Sequence, residues 1–159
     1  IFFFILFLKQ EYAVIDSNYL RGNGTGTPPA ENGNDATSYA GIGLRSVDKA
    51  VVNNNICIDN GSSGVSGYLN ETVNLTGNVL ENNGGSFTSA NLRSGVYLEG
   101  DGTTSVQAII NQCFGKSGTE QQYPIRILFN DNATALDCRF GTHPNGILGA
   151  VSKFSVNIP

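Results

Sequence analysis

VVNNNICIDNG (Val51–Gly61) reads as a strand, an asparagine-rich turn, a second short strand and a closing glycine. VNLTGNVLENNG (Val73–Gly84) repeats the pattern, with Asn78 in the place of Asn55 and Gly84 in the place of Gly61. Working outward, Asn18 and Asn111 take the same position, and Cys138 takes it more loosely. Ile5, Ile42, Val65 and Ile125 each precede one of these turn residues by thirteen positions. A glycine follows six positions later at Gly24, Gly61 and Gly84, and seven later at Gly118. Within each run apolar and polar residues alternate at period two, the mark of a strand with one dry face. A helical period fits no run for more than a turn. Fixed inner spacing with variable outer length is the signature of stacked repeats.

Aligned on that spacing, the chain predicts an all-β fold. The expectation is a right-handed, single-stranded parallel β-helix of about five coils over residues 1–141, with 142–159 closing the C-terminal end. Ile5, Phe7, Ala13, Ile15 and Leu20 point inward in the first coil, and Ile42, Leu44, Ala50, Val52 and Cys57 in the second. The third coil uses Val65, Gly67, Val73, Leu75 and Leu80, and the fourth Val96, Leu98, Val106, Ala108 and Cys113. The fifth uses Ile125, Ile127, Ala133, Ala135 and Phe140. The fourth carries two extra residues around Asp101–Thr104. Stacking would set Asn18, Asn55, Asn78 and Asn111 above one another as a structural ladder, because a carboxamide can bond the rungs on both sides.

Composition agrees with such a fold. Charged residues are 14% of 159, with 20 glycines, so turns are well supplied and stacked strands bear few charges. The net charge of −4 leaves no broad basic surface, which argues against nucleic acid and anionic membranes as partners. The apolar run Ile1–Leu8 is too short to span a bilayer, which takes about 20 residues, and it reads as a first strand rather than a leader. Its outward residues Phe4, Leu6 and Leu8 are apolar, so another subunit or segment is expected over that face. With no Met and Ile1 at its start, the chain reads as a fragment or processed product.

Cys57 and Cys113 share a column two rungs apart, about 9–10 Å at the usual strand spacing. A disulfide needs Cα atoms within about 7 Å, so that pair is excluded. Cys113 and Cys138 lie on neighbouring rungs in offset columns, which disfavours a bond. Buried free thiols are the consequence, pointing to assembly in a reducing cytosol. Insertions collect after the glycines, at Thr25–Ala40, Gly85–Ser94 and Thr119–Tyr123, and read either as a binding face or as tolerated surface loops. Asn-Xaa-Ser/Thr acceptors occur at Asn23, Asn60, Asn70, Asn74 and Asn132, of which Asn60 lies at a turn and would be the acceptor in a secreted protein. The free cysteines argue against that use.

On VVNNNICIDNG, VNLTGNVLENNGG (Val73–Gly85), GIGLRS (Gly41–Ser46) and GVYLEG (Gly95–Gly100), the chain resembles the right-handed parallel β-helix proteins, typified by pectate lyases and phage tailspikes. The resemblance covers the chain to about Gly141. It implies binding, and in many members cleavage, of acidic or surface polysaccharides along the flank. A tailspike-like segment implies a homotrimer on a virion tail or in the extracellular space. A stand-alone polysaccharide lyase or hydrolase is the second expectation, and a non-catalytic adhesive solenoid the third.

For sugar recognition the outward strip of Arg45, Tyr68, Tyr97 and Arg126, with Ser66 and Glu99, offers rings for pyranose faces and guanidinium forks for carboxylates. The alternative is an ordinary hydrated face with cross-rung ion pairs such as Glu99–Arg126. For hydrolysis, paired carboxylates are required, and Glu99 and Asp101 at a strand end are the candidates, with Glu71 and Asp131 a rung away. A lyase would use Arg126, with Ca²⁺ held by Asp101 and Glu99. No cofactor and no metal site is otherwise expected. His143, in a Thr-His-Pro turn, has no evident partner.

Overall fold

Alternation decides which side of each strand is dry, and the first strands show it plainly. In Tyr12–Asp16 only Ala13 and Ile15 are buried, and in Tyr19–Arg21 only Leu20. The computed structural model describes residues 5–28, 32–88, 92–109, 111–114, 121–140 and 151–156. Over 33–34, 101–106, 108–109, 129–140 and 151–156 the description is of the backbone alone.

Strands come in triplets. β1 (Ile5–Leu8), β2 (Tyr12–Asp16) and β3 (Tyr19–Arg21) are followed by α1 (Gly33–Ser38). β4 (Ile42–Arg45), β5 (Lys49–Asn53) and β6 (Ile56–Ile58) precede β7 (Val65–Tyr68), β8 (Thr72–Thr76) and β9 (Val79–Glu81). β10 (Ser94–Ile109) then takes two strand positions in one and β11 (Gln112–Phe114) the third. β12 (Tyr123–Phe140) pairs along both, and β13 (Val151–Val156) adds to β12. Each strand pairs with its counterpart in the neighbouring triplet, and every pairing among the described residues is parallel. The chain is therefore mostly β, built from parallel sheets.

Register runs through the whole stack. Ile5, Ile42, Val65, Val96 and Ile125 align, as do Phe7, Leu44, Gly67, Leu98 and Ile127. Ala13, Ala50 and Val73 form a third column, and Ile15, Val52 and Leu75 a fourth. Leu20, Cys57, Leu80 and Cys113 form a fifth. These side chains make one continuous core, with Ile5 and Phe7 packed at its edge. Backbone register extends the columns to Val106, Ala108, Ala133, Ala135 and Phe140. The two surplus residues of β10 appear as register shifts between Glu99 and Ser105. Cys57 and Cys113 are buried free thiols separated by Leu80, and burial pushes the Cys57 thiol far above its ordinary range.

Each of the first three triplets bends at three places, and a residue with positive φ marks each bend. Lys9, Ser46 and Leu69 stand at the first, Ser17, Asn54 and Gly77 at the second, and Gly22, Asp59 and Asn82 at the third. Left-handed backbone costs a side-chain-bearing residue about 1–2 kcal/mol, so neighbouring residues must hold each bend in place.

The insertion at 25–40, expected either as part of a binding face or as a surface loop, contains the helix α1. Asn32 caps it, its Oδ1 accepting the Asp35 N–H at 2.8 Å. Ala36 packs with Phe87, Leu92 and Tyr97 in a second apolar cluster outside the main core. Gly43 admits this helix: a Cβ there would collide with the Thr37 carbonyl oxygen.

Candidate functional site

Two asparagine ladders stitch the triplets together. In the first, the backbone N–H and Nδ2 of Asn18 both donate to Oδ1 of Asn55, each at 3.0 Å. Asn55 does the same to Asn78, and Asn78 to Asn111. The remaining Nδ2 hydrogens of Asn55, Asn78 and Asn111 reach back to the carbonyls of Ile15, Val52 and Leu75. The second ladder runs Asn23, Asn60, Asn83 and Gln121 with the same geometry. It escaped the sequence reading although its signal is there: an Asn stands five residues after each of Asn18, Asn55 and Asn78, just before the glycine. Cys138, aligned with the first ladder in sequence, pairs through its backbone with Val156.

Asn60, expected at an accessible turn, is fully buried with its amide nitrogen committed to Asn83. Asn23 and Asn70 are buried as well, so none of these three is a glycan acceptor in the folded chain.

The outward strip is divided by burial. Arg45, Tyr68 and Glu99 fall in one register column, and Ser66, Tyr97 and Arg126 in the next. Tyr97 is 2% exposed and Arg126 7%, both beneath the insertions rather than open to a ligand. The Arg126 guanidinium lies 5.6 Å from the Tyr97 ring centroid and 5.7 Å from that of Tyr123, a cation–π sandwich. The Tyr97 hydroxyl donates to Glu99 at 2.5 Å. Burial first, and that bond second, push its pKa above the usual tyrosine range. Arg45 reaches over to Thr37 Oγ1 at 2.7 Å and Ser38 Oγ at 3.2 Å, tying α1 down. The insertions, expected as open loops or a binding face, thus fold back as a strap over the sheet at α1 and around Phe87 and Leu92. Outward from the core is not the same as exposed.

Of the candidate acids, Glu99 is half-buried and accepts from Tyr97. The side chains of Asp101 and Asp131 lie outside the description, so no carboxylate pair can be measured there. His143 and Phe4 lie outside the described residues. Among the described residues no group of three or more His, Cys, Asp or Glu side chains is placed to hold a metal ion. No helix among them is long and apolar enough to cross a membrane.

A different place is open. Glu11, Tyr12, Asp48, Lys49 and Glu71 line a groove of about 490 Å³ at the entry to β2, β5 and β8. Register puts Tyr12 beside Lys49, and backbone bonds join the rows: Lys49 N–H to Glu11 O at 3.1 Å, Thr72 N–H to Asp48 O at 2.8 Å. Three acidic residues therefore climb successive strands, about 4.8 Å apart per step, with one lysine among them. Tyr12 is 58% exposed and presents its ring at one end. The spacing that relates these acids is that of the first ladder, 37 residues and then 23, so it was readable once the register was known.

No family model, curated protein or solved structure matches the chain.

Proposed function

We propose that the chain is a section of a right-handed parallel β-helix that binds a surface polysaccharide, in the manner of a tailspike. Parallel strands in fixed register, with left-handed backbone at the bends of the first three triplets, support the coil, and parallel crossovers are right-handed in nearly all sheets. The observation that carries the sugar reading is the groove from Glu11 to Glu71. It is a shallow channel on a rigid scaffold, with an exposed aromatic at one end and polar groups repeating at strand spacing. Tyr12 stacks on a pyranose face while Asp48, Lys49 and Glu71 bond hydroxyls. Three acids against one lysine repel uronic acids, so the glycan is neutral or carries amino groups. Virion or extracellular display and association into trimers belong to the same reading, supported by the exposed apolar residues Leu8, Val14, Tyr19 and Ile56 on the outer faces.

The test is titration calorimetry of the full chain against neutral, amino-sugar and uronic-acid oligosaccharides, with sedimentation for the oligomer. Neutral or amino-sugar ligands should bind, and Tyr12→Ala should weaken them about three- to tenfold. Binding confined to uronic acids, or untouched by Tyr12→Ala, removes the groove as the site. No binding in any class leaves a purely structural solenoid.

A further inference from the structure

Four Asn-Gly pairs lie among the described residues: Asn23–Gly24, Asn32–Gly33, Asn60–Gly61 and Asn83–Gly84. Such a pair can react with itself. The glycine backbone nitrogen, unshielded by a side chain, attacks Cγ of the asparagine. The Cγ–Nδ2 bond breaks, the amide leaves as ammonia, and water opens the cyclic imide to aspartate or isoaspartate. One water enters and one ammonia departs, with no other reactant.

Three of the four pairs are locked against this. Asn23, Asn60 and Asn83 are buried, and each Nδ2 donates to the next rung of the second ladder. The attacking nitrogens of Gly61 and Gly84 are also engaged, donating to Asn23 O and Asn60 O, both at 2.7 Å. Attack there requires the carboxamide to leave its ladder and the glycine to lose a buried bond.

Asn32 differs in burial, in its hydrogen-bond partner and in the backbone around its glycine. It is exposed, outside both ladders, and Gly33 stands in the first turn of α1, where backbone N–H groups have no helical acceptor. Oδ1 of Asn32 accepts the Asp35 N–H, which draws electrons from Cγ, and its Nδ2 donates to the Asp35 carboxylate at 3.0 Å.

We propose that Asn32 is a site of spontaneous modification, and that its conversion to a carboxylate releases α1 from the sheet it straps. The product sets one carboxylate against another where Asn32 had donated to Asp35, and isoaspartate adds a methylene to the chain just ahead of the helix. Tyr39, at the end of α1, packs edge-on against Phe87 at 5.6 Å, and Ala36 sits in the same cluster. Loss of the helix therefore uncovers Phe87, Leu92 and Tyr97.

The experiment is peptide mapping of the folded chain after incubation in mildly alkaline buffer. The tryptic peptide 22–45 should show amide-to-acid conversion at Asn32, at least about tenfold faster than at Asn23, Asn60 or Asn83, because the locked sites react only through local opening. In denaturant the four rates should converge. Equal rates in the folded chain, or conversion led by Asn60 or Asn83, overturn the proposal. Two variants test the release, read by hydrogen exchange over 33–40. Asn32→Ser keeps a cap and cannot deamidate, so it should hold protection; Asn32→Asp also caps, so protection lost there reports the clash with Asp35. Full protection in Asn32→Asp overturns the release.

Discussion

In the first three triplets the second and third bends are sealed throughout by asparagine, and the first bend only where Asn70 meets Val47. All three share left-handed backbone at equivalent positions, so the difference lies in the next residue along. After Ser17, Asn54 and Gly77 come Asn18, Asn55 and Asn78; after Gly22, Asp59 and Asn82 come Asn23, Asn60 and Asn83. After Lys9, Ser46 and Leu69 come Gln10, Val47 and Asn70, and only Asn70 forms part of a ladder, its Oδ1 accepting the Val47 N–H at 2.9 Å. The groove opens beside this bend. One backbone turn thus serves as weld or as site, according to whether an asparagine follows it in every one of these triplets.

The comparison breaks most decisively at Asn55. Asn55→Leu strips the acceptor from both Asn18 donors and leaves the Ile15 carbonyl and Asn78 Oδ1 short of a donor. Each buried group left unpaired costs about 1–3 kcal/mol, so a loss of about 3 kcal/mol or more is expected in urea unfolding. Gln10→Ala, at the unsealed bend, should lie within about 0.5 kcal/mol of the parent. Equal losses would mean that the ladder does not distinguish the bends.

The contrast can also be sharpened by extending a ladder. Val47→Asn places a carboxamide where the Asn70 acceptor already waits, so it should cost under about 1 kcal/mol despite full burial of the position. Val52→Asn, equally buried but within a strand, has no such partner and should cost about 2–3 kcal/mol. The difference in unfolding midpoints between the two variants is the measurement.

The smallest effect concerns strain. Leu69 holds φ at 54° with 41% of its surface exposed, and no glycine or asparagine relieves it. Leu69→Asn should raise stability by about 1 kcal/mol, seen as a higher thermal midpoint.

The columns of the core were legible in the chain because period-two alternation and constant spacing fix both the face and the partner of each residue. Ile42 and Val65 predict one another once Asn55 and Asn78 are aligned. The second ladder is equally written in Asn23, Asn60 and Asn83, but an asparagine followed by glycine is also an ordinary turn signal. α1 spans six residues, too few for a helical period to show. Tyr97 and Arg126 were misplaced on an open surface because alternation reports which way a side chain leaves the strand, not what folds over it. The groove depends on Glu11, Asp48 and Glu71, far apart in sequence and related only through register.

Beyond the first triplet, every carboxamide oxygen in both ladders faces back toward that triplet, since each accepts from the asparagine one rung earlier. The stack is therefore a vector, with a head and a tail that differ chemically. A triplet inserted upside down would bring oxygen against oxygen and hydrogen against hydrogen along both seams. Polarity of assembly is written in the side chains as well as in the peptide backbone.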